Sequence, residues 1–446
     1  MAQTDDRPLT LDDLTGYFAQ GCKPKSYFRV GAEHEKFGFQ HADRLPPPYE
    51  GEHGVHALML GLQQRFGWEP VMEGPTLIGL HRGGANVSLE PGGQFELSGA
   101  PLADMHAIDA ETRGHLDEVA AVAGDLGLGY LALGFHPTVT REQTPVMPKG
   151  RYAIMRRYMP LVGGQGLDMM FRTCTVQANL DFASEADMVA KFRTSLALQP
   201  IATALFANSP FREGKPTGFL STRANVWTDT DPDRTGMLDF VFEDGFGFEA
   251  YARYALNVPM YFVKRGDTYI DVAGQSFGDF IDGKLEARPG ERASIKDWAD
   301  HVTTIFPEVR LKSYLEMRGA DSGPADMLVA LPALWTGLLY DDAALAAAWD
   351  LCKGWSAEDH VASRGEAARH GLKGKVAGRS MRDVAVDVVA IAREGLQRRG
   401  LGEEVFLAPL EAIADSGVTL AERWLEKFNG PWGGSVQPIF EEAAYF

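Results

Sequence analysis

The sequence predicts an α+β fold built on an antiparallel sheet. Helices and strands are interspersed without regular βαβ alternation, and four segments alternate polar with apolar residues at period two. Several helical runs also carry their own start and stop residues.

The first alternating segment is RVGAEHEKFGF, starting at Arg29. Glu33 and Glu35 are two apart, so on a strand both carboxylates point to one side. Two like charges that close repel each other. A hard cation such as magnesium, which takes oxygen ligands, would relieve the repulsion. A solvated strand face with alternating charge is the competing reading. Next, Glu90 precedes the turn residues Pro91-Gly92-Gly93, after which Gln94, Glu96 and Ser98 alternate with Phe95 and Leu97. A wet edge hairpin would give the same pattern. Residues 101–126 have helical spacing and end at Gly127 and Gly129. The first of two basic stretches follows, Lys149-Gly150-Arg151-Tyr152 preceding Arg156-Arg157-Tyr158.

From Phe171 to Asp181, Thr173, Thr175, Gln177, Asn179 and Asp181 share one face, and Cys174, Val176, Ala178 and Leu180 the other. A long polar face without Lys or Glu suits the wall of a hydrogen-bonding cleft as well as a surface. Ser184 and Asp187 predict a capping box opening a helix to about Gln199, and Pro200 predicts a break and a second helix. The stretch from Ser221 to Gly236 brings Arg223, Trp227 and Arg234 into a turn-rich region. In the fourth alternating segment Lys312, Tyr314, Glu316 and Arg318 share a face. Glu316 and Arg318 read either as a structural ion pair or as a metal ligand beside a phosphate clamp, because a guanidinium matches phosphate geometry. Residues 325–340, 343–353 and 384–399 are helical, and Thr419 with Glu422 caps one more helix.

Composition narrows the partners. A formal net charge of −18 repels phosphate backbones and anionic lipid, so neither nucleic acid nor membrane is expected as a partner. Three cysteines, Cys22, Cys174 and Cys352, give no disulfide framework and no metal-ligand spacing, which predicts a reducing compartment. The polar, acidic N-terminus from Met1 to Asp13 lacks signal-peptide or transit-peptide character. The expected location is cytoplasmic. No Walker A motif, HExxH or nucleophile elbow occurs.

Long segments resemble the plant-type glutamate–cysteine ligases, found also in some bacteria. They include GCKPK at Gly21, GAEHEKFGF at Gly31, MPKGRY at Met147, RTCTVQANLDF at Arg172, the run from Lys191 through Gly236, and TTIFPEVRLKSYLEMRGAD at Thr303. The resemblance covers nearly the whole chain. It implies one catalytic domain over 1–446 with a helical C-terminal part, in the fold shared with glutamine synthetase: a curved antiparallel sheet forming an open funnel, with helices outside. It implies metal carboxylates at Glu33, Glu35, Glu90, Glu96 and Glu316, holding two or three magnesium ions. Gln177 stands where more distant bacterial relatives have a metal-binding histidine. Arg318, of the Glu-x-Arg motif, is implied beside the transferred phosphoryl group, and Arg151, Gln177, Asn179, Arg223, Trp227 and Arg234 along the substrate and nucleotide sites. One departure stands out. Where the plant enzymes have a pair of regulatory cysteines, this chain has Val272 and Ala287.

The implied reaction joins the γ-carboxylate of glutamate to the amine of cysteine with ATP as co-substrate, through γ-glutamyl phosphate, in a monomer or homodimer. The segments 163–166 and 229–236 are the expected covering loops. Three other readings remain: a related ligase with a different amine acceptor, a non-catalytic cation-binding protein, and a metal-dependent hydrolase.

Overall fold

The structure, a computed structural model, describes residues 7–446; the polar N-terminal stretch read from the sequence falls partly outside them. Its main sheet has nine strands: β1 (Val30–Gln40), β2 (Glu69–Glu73), β3 (Thr76–Arg82), β4 (Ala85–Leu89), β5 (Phe95–Ser98), β6 (Leu128–Leu131), β7 (Thr175–Leu180), β8 (Val309–Leu311) and β9 (Leu315–Asp321). Their order is β8-β9-β7-β1-β5-β4-β3-β2, with β6 pairing the far end of β1. Each pairing is antiparallel, and the sheet is open, with β8 and β2 at its edges. This bears out the α+β class.

Period-two alternation decides what the two faces do. Val30, Ala32, Val176, Ala178, Leu180, Leu315 and Met317 turn to a large apolar core shared with the helices Glu185–Leu205 and Ala325–Leu339. Farther along the sheet, Leu80, Val87, Phe95 and Leu97 pack with Leu58, Leu62, Val119 and Val122 of Val55–Phe66 and Met105–Asp125. The other face is left free to line a cavity.

Two helix boundaries differ from expectation. The helix predicted from residue 101 starts at Met105, where the Asp104 side chain accepts the Ala107 N–H. The break expected at Pro200 does not occur, for Glu185–Leu205 is one helix running through the proline. Every residue from 194 to 205 is buried, so packing outweighs the roughly 3 kcal/mol cost of an interior proline. Ser184 caps this helix by accepting the Asp187 N–H, but the Asp187 carboxylate takes the Ala183 N–H and Lys191 and not the cap residue. At Thr419 and Glu422 the capping box is complete. Among the described residues no single helix is long and apolar enough to cross a membrane. Ala325–Leu339 and Asp342–Cys352, which together are, bend by 93° and contribute Leu331, Leu334, Leu345 and Ala348 to the core.

Candidate active site

The sheet register assembles the site. On β1, Glu33 lies opposite Gln177 on one side and Ser98 on the other, while Glu35 faces Glu96, which in turn faces Ser88. Glu90 enters from the turn between β4 and β5. In that turn Gly93 has φ of 85°, and a Cβ on Gly92 would come within 2.4 Å of the Phe171 carbonyl oxygen. Gln94 fastens the turn to the helix Gly166–Arg172, donating to the carbonyls of Met170 (3.1 Å) and Thr173 (2.9 Å). Glu33, Glu35, Glu90, Glu96, Gln177 and Arg318 all line one cavity of about 330 Å³, joined by Arg151, Arg223 and Trp227.

The acidic side is crowded. Burial, then the charge of Glu316, pushes the Glu33 carboxyl up to about 7, although Asn179 donates to its Oε1 at 2.7 Å. Burial and the neighbouring Glu96 and Glu90 raise Glu35 well above the usual carboxylate range, while the Thr175 N–H donates to its Oε2 at 2.9 Å. Glu96 is raised as well, by burial and Glu90, with the Ser88 hydroxyl 3.0 Å from its Oε2.

Cations line the same cavity. Arg318 donates to Gln177 Oε1 at 2.5 Å and to Glu316. Arg223 is 3 % exposed and donates through Nη2 to the Arg318 carbonyl at 2.7 Å. Three buried nitrogens on this cavity have no hydrogen-bond partner among the described residues: Arg151 Nε, Arg223 Nε and Trp227 Nε1. Buried donors without acceptors are rare enough in folded proteins to call for a cause.

Three residues expected at the site take other places. Glu316 is fully buried beneath the cavity. Arg310 holds it bidentately (2.7 and 3.0 Å), Lys312 binds the same carboxylate at 3.0 Å, and Arg318 completes the set. Burial would raise its carboxyl, but these three cations hold it well below its usual range. As arranged here, its oxygens serve cations of the protein itself. Asn179 is off the cavity and braces Glu33. Arg234 is fully buried and spends all its nitrogens on Asp231 (2.6 Å) and the carbonyls of Thr304 (3.1 Å) and Pro259 (2.7 Å), over the Tyr261 ring. It ties down residues 231–235 and does not reach the cavity.

Arg310 escaped the sequence reading. Its signal was the same alternation carried one step back, Arg310-Lys312-Tyr314-Glu316-Arg318, folded into a hairpin that sets Arg310 opposite Glu316. The segments 163–166 and 229–236, expected to cover the site, do not line the cavity and are fastened to each other, since Asp229 accepts the N–H of Gly164 through its side chain and that of Gln165 through its carbonyl.

Comparison with known proteins places this site. Residues 29–442 match the family model for glutamate–cysteine ligase family 2. The chain is 57 % identical over 438 residues to the chloroplastic glutamate–cysteine ligase of Arabidopsis thaliana, and 56 % identical to that of Nicotiana tabacum. Each match covers 98 % of this chain and 83 % of the relative. Among solved structures, the Francisella tularensis glutamate–cysteine ligase in complex with AMP shares the fold. Its TM-score is 0.58 at 12 % identity, over 93 % of this chain and 87 % of that one. Fold and site thus define an ATP-dependent ligase on an open antiparallel sheet. The chain belongs to glutamate–cysteine ligase family 2, and it forms γ-glutamylcysteine, a step of glutathione biosynthesis, with ATP as co-substrate. The relatives are named as chloroplastic enzymes, which overturns the cytoplasmic location expected from the N-terminus.

Proposed function

We propose that both halves of the ligation take place in this one cavity, and that residues 1–446 act as a single catalytic unit. A carboxylate is a poor acyl donor because its leaving group is an oxide. Transfer of the ATP γ-phosphoryl group to the glutamate γ-carboxylate gives γ-glutamyl phosphate; the cysteine amine then attacks and phosphate leaves. The observation that carries this reading is the trio of unpartnered buried donors, Arg151 Nε, Arg223 Nε and Trp227 Nε1, on the cavity that also holds the crowded carboxylates. The donors suit anionic substrate groups. Preorganised donors aimed at developing charge supply most of the catalysis in phosphoryl transfer.

The donor set fits magnesium. Among the described residues no three carboxylate, imidazole or thiolate groups gather in a geometry that would hold a metal by themselves. Magnesium, however, is ordinarily held by one or two carboxylates together with substrate phosphates. Glu35 and Glu96, opposed across β1 and β5 and both raised by burial and by neighbouring carboxylates, Glu90 among them, are the pair we assign to it, with Glu33 and Glu90 beside them. Bound there, magnesium would neutralise phosphate charge. Arg318 orients the transferred group and is itself held by Glu316 and Gln177.

ADP formation with glutamate, with and without a panel of amino-acid acceptors, tests this reading. Release that requires glutamate and is greatest with cysteine is expected. ATP-independent hydrolysis, or no release with any set, would refute it.

A further inference from the structure

The cavity has a wall that the phosphoryl chemistry leaves unused. Besides the charged sheet residues the cavity is lined by Met155, from the helix Gly150–Val162, Met169 and Met170, from Gly166–Arg172, and Phe262, all members of one apolar cluster. All four are buried, between 2 and 8 % exposed, yet each lines the cavity. We propose that Met155, Met169, Met170 and Phe262 form the subsite for the side chain of the amine acceptor and select its CH2–SH group over CH2–OH. The inference rests on the ligase activity and adds the residues that choose the acceptor.

The argument is a matching of chemistries. Glutamate brings two carboxylates and an ammonium, and ATP brings its phosphates; all suit the carboxylate and arginine side. The adenine is planar, and Trp227 and Phe306 meet edge to face at 6.2 Å on the cavity border, which suits a flat ring. The acceptor's side chain is left, small and weakly polar, for a wall of thioethers. Sulfur–sulfur and sulfur–aromatic contacts are dispersive, and methionine fills irregular gaps well. A serine hydroxyl placed there would lose its water and find no acceptor among four apolar side chains. Such a pocket disfavours a hydroxyl isostere by about a hundredfold. The wall is also held in place. Gln94, in the turn that carries Glu90, donates to the Met170 carbonyl, so apolar wall and acidic floor share one brace.

The experiment measures kcat/KM for cysteine, 2-aminobutyrate and serine with saturating magnesium-ATP and glutamate, in the wild type, Met169→Leu and the double variant M155Q/M169Q. In the wild type, 2-aminobutyrate, whose methyl replaces the thiol, should fall within about tenfold of cysteine and serine about a hundredfold or more below it. M155Q/M169Q should lower the cysteine-to-serine ratio about tenfold or more, with KM for ATP and glutamate within about twofold. Met169→Leu keeps the wall apolar and should keep the ratio, which separates selectivity from folding. Three outcomes would overturn the proposal: a ratio unmoved by the two glutamines, a loss that lies in KM for ATP or glutamate, or rejection of 2-aminobutyrate as strongly as serine. Absence of phosphate release with every acceptor in the wild type would instead count against the ligase reading itself.

Discussion

Arg318 and Glu316 project from the same face of β9, and the guanidinium of one donates to the carboxylate of the other while also reaching Gln177. The pair is only half of the arrangement, because Arg310 and Lys312 grip the same carboxylate from the neighbouring strand and turn. All three cations line the cavity, Arg318 alone of them also holding Gln177, and Glu316 is their shared buried anchor.

Replacing Arg318 by lysine keeps the charge and loses the planar fork. Turnover should fall by about two orders of magnitude, the scale of losing one preorganised donor. The thermal midpoint should stay within a few degrees, about that of the wild type. Steady-state kinetics and a melting curve on the same sample check both. Normal turnover with early unfolding would assign Arg318 to stability alone.

Arg310→Met should do the opposite. It strips a fully buried carboxylate of its bidentate partner, and breaking such a pair costs about 3–5 kcal/mol. The sign with pH follows from the depressed Glu316 carboxyl. Its stabilising contribution is present above the ordinary carboxylate range and is lost as pH falls toward the folded value. Urea unfolding at pH 7 and pH 4 should thus show the largest gap between variant and wild type at pH 7. An equal or larger gap at pH 4 would contradict the assignment.

Glu33 predicts a trend of opposite sign. Its carboxyl is raised from 4.5 to about 7, so the folded protein holds that proton more tightly than the unfolded chain. Stability from this group is full below about 4.5 and is lost as pH climbs to about 7. In the metal-free protein, Glu33→Gln should remove that loss. The difference in melting temperature between variant and wild type should grow between pH 5 and pH 7 and then level off. A difference that stays flat across this range would show that Glu33 ionises normally.

Thiol chemistry should leave the enzyme largely indifferent. Cys174 and Cys352 are buried, with burial raising both thiols, and all three cysteines are free. Val272 and Ala287 stand where a regulatory pair was expected. Activity in dithiothreitol and after mild disulfide-forming oxidation should agree within about twofold, because protonated buried thiols react poorly. A large reversible change abolished by replacing Cys22 would refute this.

The parts of the site legible in the sequence were those encoded by local alternation. Glu33 with Glu35, and Glu316 with Arg318, each announce a shared face through period two alone. Non-local register was illegible. Nothing near Asn179 says that it lies between Gly31 and Glu316, or that its amide reaches Glu33. Arg234 was implied along the substrate and nucleotide sites, whereas Asp231 three residues earlier pairs with it in the interior. Pro200 misled for a related reason: a local rule met a helix whose whole second half is buried. The methionine wall left no pattern, because Met155 and the Met169-Met170 pair lie on separate helices.

The register of β1 has a further meaning. Its two faces are filled by neighbours in the chain: Glu33 and Glu35 toward the cavity, Ala32, His34 and Lys36 away from it. A slip of one residue would exchange the two sets in a single step. It would bury both carboxylates on the side where His34 meets His115 and Lys36 meets Phe95, and present an imidazole and an ammonium to the nucleotide. A chain with one residue inserted into this strand could keep its composition, helices and compactness and still have no active site. For this enzyme the frame in which β1 is paired is inherited as strictly as the residues it displays.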